Sequence, residues 1–454
     1  MKISIRKTRL ESRLMAILMI VIILCYFMRD GLGIGIPTAL FFVLYLLGFV
    51  ALRRRELLNF FVFLVPISQG ILLYYLNIVF AIIFLVRYIR HISIKRAVII
   101  SFILILWEAL HLIPNSFLNY NESVIKLLGF ALCLLITSIA ISNYKLNNNY
   151  VSILFSWCIG LLSLCLILLV KYVYSFGINS FTVAVRRFGW IPASLDTSST
   201  SLLINPNSLG KLVTLTVFCL LAVLKYERKY KAQILILVIG LVGFGLMTGS
   251  RSFLLVFAVL SILYMQEIML NINQNKKMFK FLIITAILAL ILMTTYMDST
   301  FKMIAQRIEE VDFSGSRFEI YRKYINVLKT SPYLVYGSGM QDYNLKYDFE
   351  MSSHNYFIEV ISIWGIIGLI ISFYWFVSLY KSLDLSKNFS IRNKTILHYL
   401  PLFGLFLYAQ VGQFFVSYYH TLPTLILAFL NIKYVEKKLT DSSTKVQINV
   451  INHI

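Results

Sequence analysis

Charge is scarce in this sequence, and negative charge is scarcest: only 14% of the residues are charged, with 20 Asp and Glu against 42 Lys and Arg. So little charge, beside 59% hydrophobic residues and a mean hydropathy of +0.80, excludes a soluble globule. Cysteine is rare too. Cys25, Cys133, Cys158, Cys165 and Cys219 all lie in apolar runs, with no CxxC pair and no histidine at metal-ligand spacing. That excludes a disulfide framework or a zinc site and leaves five small buried hydrophobes. The long apolar runs lack alternation of period two, which argues against a β-barrel. No internal repeat stands out, which weighs against the inverted-repeat transporters.

What is present is a series of apolar runs, each about the 17–25 residues that cross a bilayer core of about 30 Å. Only helices or closed barrels satisfy every backbone group in lipid, so the fold class is an all-α polytopic membrane protein of about 12–14 transmembrane helices. The expected spans are 14–28, 34–52, 57–86, 97–113, 125–142, 151–174, 201–224, 232–248, 252–270, 281–297, 354–380, 395–415 and 419–434. Residues 57–86 are too few for two full crossings, yet basic clusters flank both ends. A shallow hairpin broken near Pro66 and Gly70 fits. The apolar segment from Leu14 follows basic residues but lacks a small-x-small cleavage site, so it reads as a retained first span.

The net charge of +22 reports topology, not nucleic acid, for which no partner role is read. Assigning the clusters at 2–13, 53–56, 87–96, 225–231, 275–280, 381–394 and 433–438, with Lys145 and the C-terminal tail, to the cytoplasm places 28 of the 42 Lys and Arg inside. That distribution satisfies the positive-inside rule, with affinity for anionic lipid heads as a secondary effect. It places both termini in the cytoplasm. The chain then divides into N-terminal spans (1–174), a first outer loop (175–200), central spans (201–297), a large outer loop (298–353), and C-terminal spans with a tail (354–454). Loops of that length are uncommon without a purpose. Within the large one, residues 317–329 read as a helix with an apolar face of Phe318, Tyr321, Ile325 and Leu328, stopped by Pro332.

The same outer face collects polar residues. Arg186 and Arg187 lie in the first loop. Arg251 sits in the tight "TGSRS" break, where Thr248, Ser250 and Ser252 offer hydroxyls suited to a phosphate oxygen. Arg317 and Arg322 belong to the loop helix, and His354, Asn355 and Glu359 stand at the entrance of the span that follows it. Asn205 and Asn207, in "INPNSLG", suit a helix cap and can also face a sugar. Each has a plainer reading: a snorkelling arginine, a solvated pair, an exposed helix face, an interfacial histidine. Glu359 is hardest to dismiss, because a lone carboxylate in an apolar run carries a large desolvation cost. Glu108, three residues before His111, reads first as part of a structural pair. Gly365 and Gly368 read as a place where a neighbouring helix packs close.

Four elements in order carry a resemblance: "NPNSLGKL" opening a span, "TGSRS" between two spans, "SRFEIYRKYINVLKTSPYLVYGSG" in the long loop, and "SHNYFIEVISIWGIIGL" re-entering the membrane. Together, over about residues 200–370, they resemble the O-antigen ligase/polymerase superfamily. Phe253 departs from the pattern at a place where a small residue is common, a change expected to affect packing more than chemistry.

The resemblance implies a GT-C-type membrane glycosyltransferase using an undecaprenyl-pyrophosphate-linked oligosaccharide, with no metal and no other cofactor. The implied roles follow from charge development. Arg251 and Arg317 face the departing pyrophosphate, assisted by Arg187, and His354 receives the acceptor proton. Asn355 holds geometry or substrate, and Glu359 orients the neighbourhood of His354 or pairs with an arginine. Arg186, Asn205, Asn207, Ser250 and Arg322 complete the substrate contacts. The reading put first is a polymerase of lipid-linked repeat units for O-antigen, capsule or exopolysaccharide, a class in which a chain-length regulator is a usual partner. The alternatives are a ligase acting on a lipid-A core or other carrier and, from a different class, a lipid-linked oligosaccharide flippase.

Overall fold

The structure, a computed structural model, describes residues 2–68, 71–88, 92–112, 120–143, 149–176, 188, 204–270, 317–330, 333–340, 343, 352–385 and 396–451. The regular elements described are helical. Among the described residues, ten α-helices precede the large loop: α1 (Lys2–Tyr26), α2 (Thr38–Ala51), α3 (Arg54–Ile67), α4 (Ile71–Tyr88), α5 (Arg96–Leu110), α6 (Tyr120–Ser142), α7 (Tyr150–Phe176), α8 (Pro206–Tyr226), α9 (Lys231–Met247) and α10 (Arg251–Leu270). The loop contributes α11 (Arg317–Thr330) and the single turn α12 (Tyr333–Tyr336). Then come α13 (Tyr356–Ser382), α14 (Leu400–Ala409) and α15 (Tyr418–Ile451). Six helices among the described residues are long and apolar enough to cross a membrane, which establishes an all-α polytopic membrane protein. The span expected at 281–297 lies outside the described residues.

Helix α8 is the central post. Its residues from Leu209 to Leu224 are buried on every side, and it packs against α7, α9, α10, α14 and α15. A helix apolar all round belongs in the middle of a bundle. Its two threonines bond back to carbonyls one turn earlier, Thr214 to Gly210 at 2.8 Å and Thr216 to Leu212 at 2.7 Å, so neither hydroxyl is left bare in an apolar setting. Phe253 of α10 is fully buried against Gly210 of α8 and Gly245 of α9, where a Cβ on either glycine would fall within 2.8 Å and 2.4 Å of the ring or its stem. The departure at this position is thus a packing exchange: a large ring fills room left by two glycines.

The short hairpin expected between 57 and 86 is present as α3 and α4, and Pro66 lies inside the last turn of α3 rather than at the break. At one end of the bundle four of the basic loops meet. Lys95 donates to Ser382 O at 3.0 Å and pairs with Asp384. Lys433 donates to Asp384 O at 3.0 Å, Lys225 pairs with Glu267 at 3.3 Å, and Lys438 pairs with Glu227 at 2.7 Å. These four of the clusters assigned to one face by charge therefore share one end of the molecule.

Two helices are broken, and the sequence reading saw neither break. The run at 395–415 was expected to cross without interruption, but α14 ends at Ala409 and residues 410–417 are irregular before α15 begins. Gln410, Gly412 and Gln413 interrupt the apolar run there, and one remote side chain, Glu359, takes the amides of residues 414–416. The second break lies inside α13 at Gly365, whose φ of 68° and ψ of −171° interrupt the helix. This glycine was expected to admit a neighbouring helix. Instead it admits backbone from the loop: a Cβ on Gly365 would lie 2.1 Å from Val335 O, and one on Gly337 (φ 81°) would lie 2.2 Å from Ile363 O. At Gly368 the room is taken by Trp364 and by Trp107.

Candidate active site

Helix α11 begins the site. The face expected to be apolar was Phe318, Tyr321, Ile325 and Leu328. Phe318 and Ile325 are instead 74% and 41% exposed, and the buried face is Tyr321, Tyr324 and Leu328. The packing stripe is rotated because the tyrosines, not Phe318 and Ile325, meet the bundle. That rotation places Arg317, one turn before Tyr321, on the inward face and leaves Arg322 exposed. The Tyr321 hydroxyl donates to His354 O (3.2 Å) and to Gln410 O (3.1 Å), sharing one proton between two carbonyls. One side chain thereby joins the loop helix, the mouth of α13 and the broken segment after α14.

Asn355 caps α13. Its Oδ1 accepts from Phe357 N at 3.0 Å and Ile358 N at 3.3 Å, while its Nδ2 donates to Gln410 O and Gln410 Oε1, each at 3.4 Å. A capped N-terminus concentrates positive potential at the start of the helix. His354, immediately before the cap, has φ of 50°, in the left-handed region that non-glycine residues seldom occupy. Such strain persists only where surrounding contacts impose it, and here the Tyr321 bond to its carbonyl is one of them. Burial lowers the pKa of the imidazole from its ordinary 6.5, and the nearby Arg317 charge lowers it further. Both effects favour the neutral imidazole, the form able to accept a proton.

Glu359, one turn into α13, has no exposed surface. Its Oε1 accepts from Phe415 N at 2.6 Å and Val416 N at 2.9 Å, and its Oε2 from Phe414 N at 2.9 Å. A single carboxylate thus satisfies three amides of the broken segment, the condition for irregular backbone at membrane depth. Phe415, held this way, packs between Trp364 and Trp375, with ring centroids 4.8 Å and 6.2 Å away. Glu359 holds backbone here and does not front the entrance.

The break in α13 is closed by the loop. Ser338 N donates to Ser362 O at 3.0 Å and Gly339 N to Ile363 O at 2.7 Å, replacing helical bonds lost at Gly365. Glu108 of α5 accepts from Trp364 Nε1 at 2.6 Å and Met340 N at 3.0 Å, and His111 Nε2 lies 2.6 Å from Tyr336 O. Both side chains clamp the inserted "YGSGM" segment. It reaches the tenth residue of α13, about 15 Å along a helix that rises 1.5 Å per residue.

On the other side of the site, Asn205 caps α8 through Asn207 N at 2.9 Å, and Asn207 Oδ1 accepts from Ser250 Oγ at 2.6 Å. The start of α8 is thereby tied to the turn that ends in Arg251, the first residue of α10. Phe188 is seated beside the same turn: its N donates to Met247 O at 3.2 Å and its ring stacks on Phe244. Arg186 and Arg187 lie outside the described residues. Tyr408 Oη, two residues before Gln410, lies 3.1 Å from Thr214 Oγ1 and links α14 to α8.

An apolar groove of about 680 Å³ begins at this corner. Tyr356, Phe357 and Phe414 line it beside Asn355, and it runs between α13, α14 and α15 past Phe376 and Phe403 to Tyr380 and Lys381. Sequence reasoning missed Tyr321, Gln410, the groove and Lys211, a lysine buried on α8. The signals were present in part: Tyr321 is one turn from Arg317, and Gln410 and Lys211 are polar interruptions of apolar runs.

Comparison with known proteins finds two partial likenesses. Residues 235–373 match the family described as O-Antigen ligase. Over 265 residues the chain is 25% identical to the ComP-specific O-oligosaccharyltransferase of Acinetobacter baylyi, covering 55% of this chain and 45% of that protein. The chain thus spans about half the length of the curated relative it matches. The family match runs from within α9 through the first two thirds of α13, including Arg251, Arg317, His354 and both glycines of the broken helix.

Proposed function

We propose that the chain, whose residues 235–373 match the family described as O-Antigen ligase, transfers an oligosaccharide from a lipid pyrophosphate carrier to a sugar hydroxyl. Its first-choice activity is polymerisation of lipid-linked repeat units at the outer face of the cytoplasmic membrane. The observation that carries the reading is the Tyr321 bridge, which brings the Arg317 helix onto the His354–Asn355 corner at the mouth of the apolar groove. An amphiphile with an anionic head and a long hydrocarbon chain suits a cationic corner continuous with such a groove.

In this reading the acceptor hydroxyl attacks the anomeric carbon. The new glycosidic C–O bond forms as the bond to the phosphate oxygen breaks, and carrier pyrophosphate departs. Neutral His354 takes the hydroxyl proton, a role that needs the unprotonated imidazole at working pH. Arg317 and Arg251 meet the charge that grows on the leaving group, where fixed cations lower the barrier most. Asn355 and Tyr321 hold the corner. Glu359 serves by fixing residues 414–416, not by moving a proton.

The A. baylyi relative is named for oligosaccharide transfer, which favours a transferase over a flippase. The ligase reading differs from the polymerase in the acceptor alone. Reconstitution of the purified chain with a lipid-linked repeat unit separates them. Elongation of that unit supports the polymerase, and transfer only to a supplied lipid-A core or other carrier supports the ligase. Movement across the bilayer without a new glycosidic bond defeats both.

A further inference from the structure

Lys211 lies on α8, one turn after Asn207, and is buried (9% exposed) in a helix whose other buried residues are apolar or threonine. Its Nζ donates to Thr421 Oγ1 at 3.1 Å, near the start of α15. Glu359, from the other side of the same segment, holds the amides of Phe414, Phe415 and Val416. The two buried side chains carry opposite charges, and both reach this stretch. Lys211 and Glu359 thus grip one stretch of chain, residues 414–421, from two helices.

A lone charge of either sign is costly at this depth, and removing one partner strands the other. The irregular segment between α14 and α15 starts at Gln410, which receives Tyr321 and Asn355. Movement of residues 414–421 therefore passes to the carbonyl that anchors the His354 corner. We propose that Lys211 is a positioning residue: its ammonium balances Glu359, and together they lock the broken segment so that Gln410, Tyr321 and His354 keep their relative places. The effect on turnover rests on the transferase reading above, whereas the coupling of the two charges does not.

The test uses the full chain, reconstituted at matched membrane abundance, with Lys211→Gln, Lys211→Arg, Lys211→Met, Glu359→Gln and the Lys211→Met/Glu359→Gln pair. Lys211→Gln keeps a donor for Thr421 but removes the charge. It is expected to slow turnover at saturating donor about tenfold or more while KM for the donor stays within about twofold. Lys211→Arg is expected to keep at least about half of the rate. The double variant is expected to be no slower than Glu359→Gln and faster than Lys211→Met. Losses that multiply in the double variant, or a wild-type rate in Lys211→Gln, overturn the proposal. Should the wild-type chain transfer no glycan from any donor, the transferase reading falls, and thermal unfolding then judges the pair. A double variant more stable than Lys211→Met upholds it, and additive losses sink it. Failure of both Lys211→Met and the double variant to accumulate also counts against it.

Discussion

Replacing Tyr321 with phenylalanine removes one oxygen and leaves the ring in place. That oxygen donates to His354 O and Gln410 O, so its loss unties the loop helix from both the entrance of α13 and the broken segment. The hydroxyl has a single proton, so the net loss is that of about one hydrogen bond plus the cost of leaving half-buried carbonyls poorly paired, about 1–3 kcal/mol together. Tyr324 and Leu328 still bury α11 against the bundle, so the helix stays docked and the chain accumulates normally. If the bridge sets the geometry of the transition state, the whole loss appears in turnover, at about 1.4 kcal/mol per tenfold. Tyr321→Phe should then slow glycan transfer by roughly 5- to 150-fold at unchanged abundance. The assay is elongation of a lipid-linked repeat unit by reconstituted protein, followed over the first few per cent of conversion. A rate within about twofold of wild type would refute the argument that this bridge aligns the corner.

Three further outcomes follow from the same geometry. Because burial and Arg317 both depress the His354 pKa, activity should hold as pH falls below 7 and fail only as the imidazole protonates, below its ordinary 6.5. In Arg317→Gln the acid limb should move to higher pH as well as dropping in height, and a limb unmoved in pH–rate profiles would remove Arg317 from the neighbourhood of His354. Gly365→Ala puts a methyl 2.1 Å from Val335 O at a positive φ, so it should cost at least about 3 kcal/mol and sharply lower membrane abundance, read by immunoblot and thermal unfolding. Val377→Trp fills the groove and should raise KM for a long-chain donor several-fold while sparing a short-chain analogue; equal effects on both would detach the groove from the lipid chain.

The sequence carried the membrane architecture because hydropathy reports how a segment partitions, and the helices fall close to the apolar runs. It also carried the start of α11 at Arg317 and the position of His354 and Asn355 at the mouth of α13, since turn residues and caps are local signals. It did not carry the breaks. Hydropathy cannot tell a continuous helix from two pieces whose amides are satisfied elsewhere, and the group that satisfies residues 414–416 is Glu359, more than 50 positions earlier. The oddity of a glutamate in an oily run was legible; its answer was tertiary. The face of α11 was half legible: Tyr321 and Leu328 pack inward as expected, but Phe318 and Ile325 are exposed and Tyr324 is buried in their stead. Lys211 stood in plain view within "NPNSLGKL", but a buried lysine acquires meaning only once Thr421 is placed beside it.

The central claim is that glycan transfer occurs at the His354 corner. The most direct measurement is a single-turnover reaction of reconstituted wild type and His354→Ala, at equal abundance, with a labelled lipid-pyrophosphate-linked repeat unit. The account predicts a new glycosidic bond and stoichiometric release of carrier pyrophosphate from wild type, and neither above background from the variant. Full release and elongation by His354→Ala would contradict it.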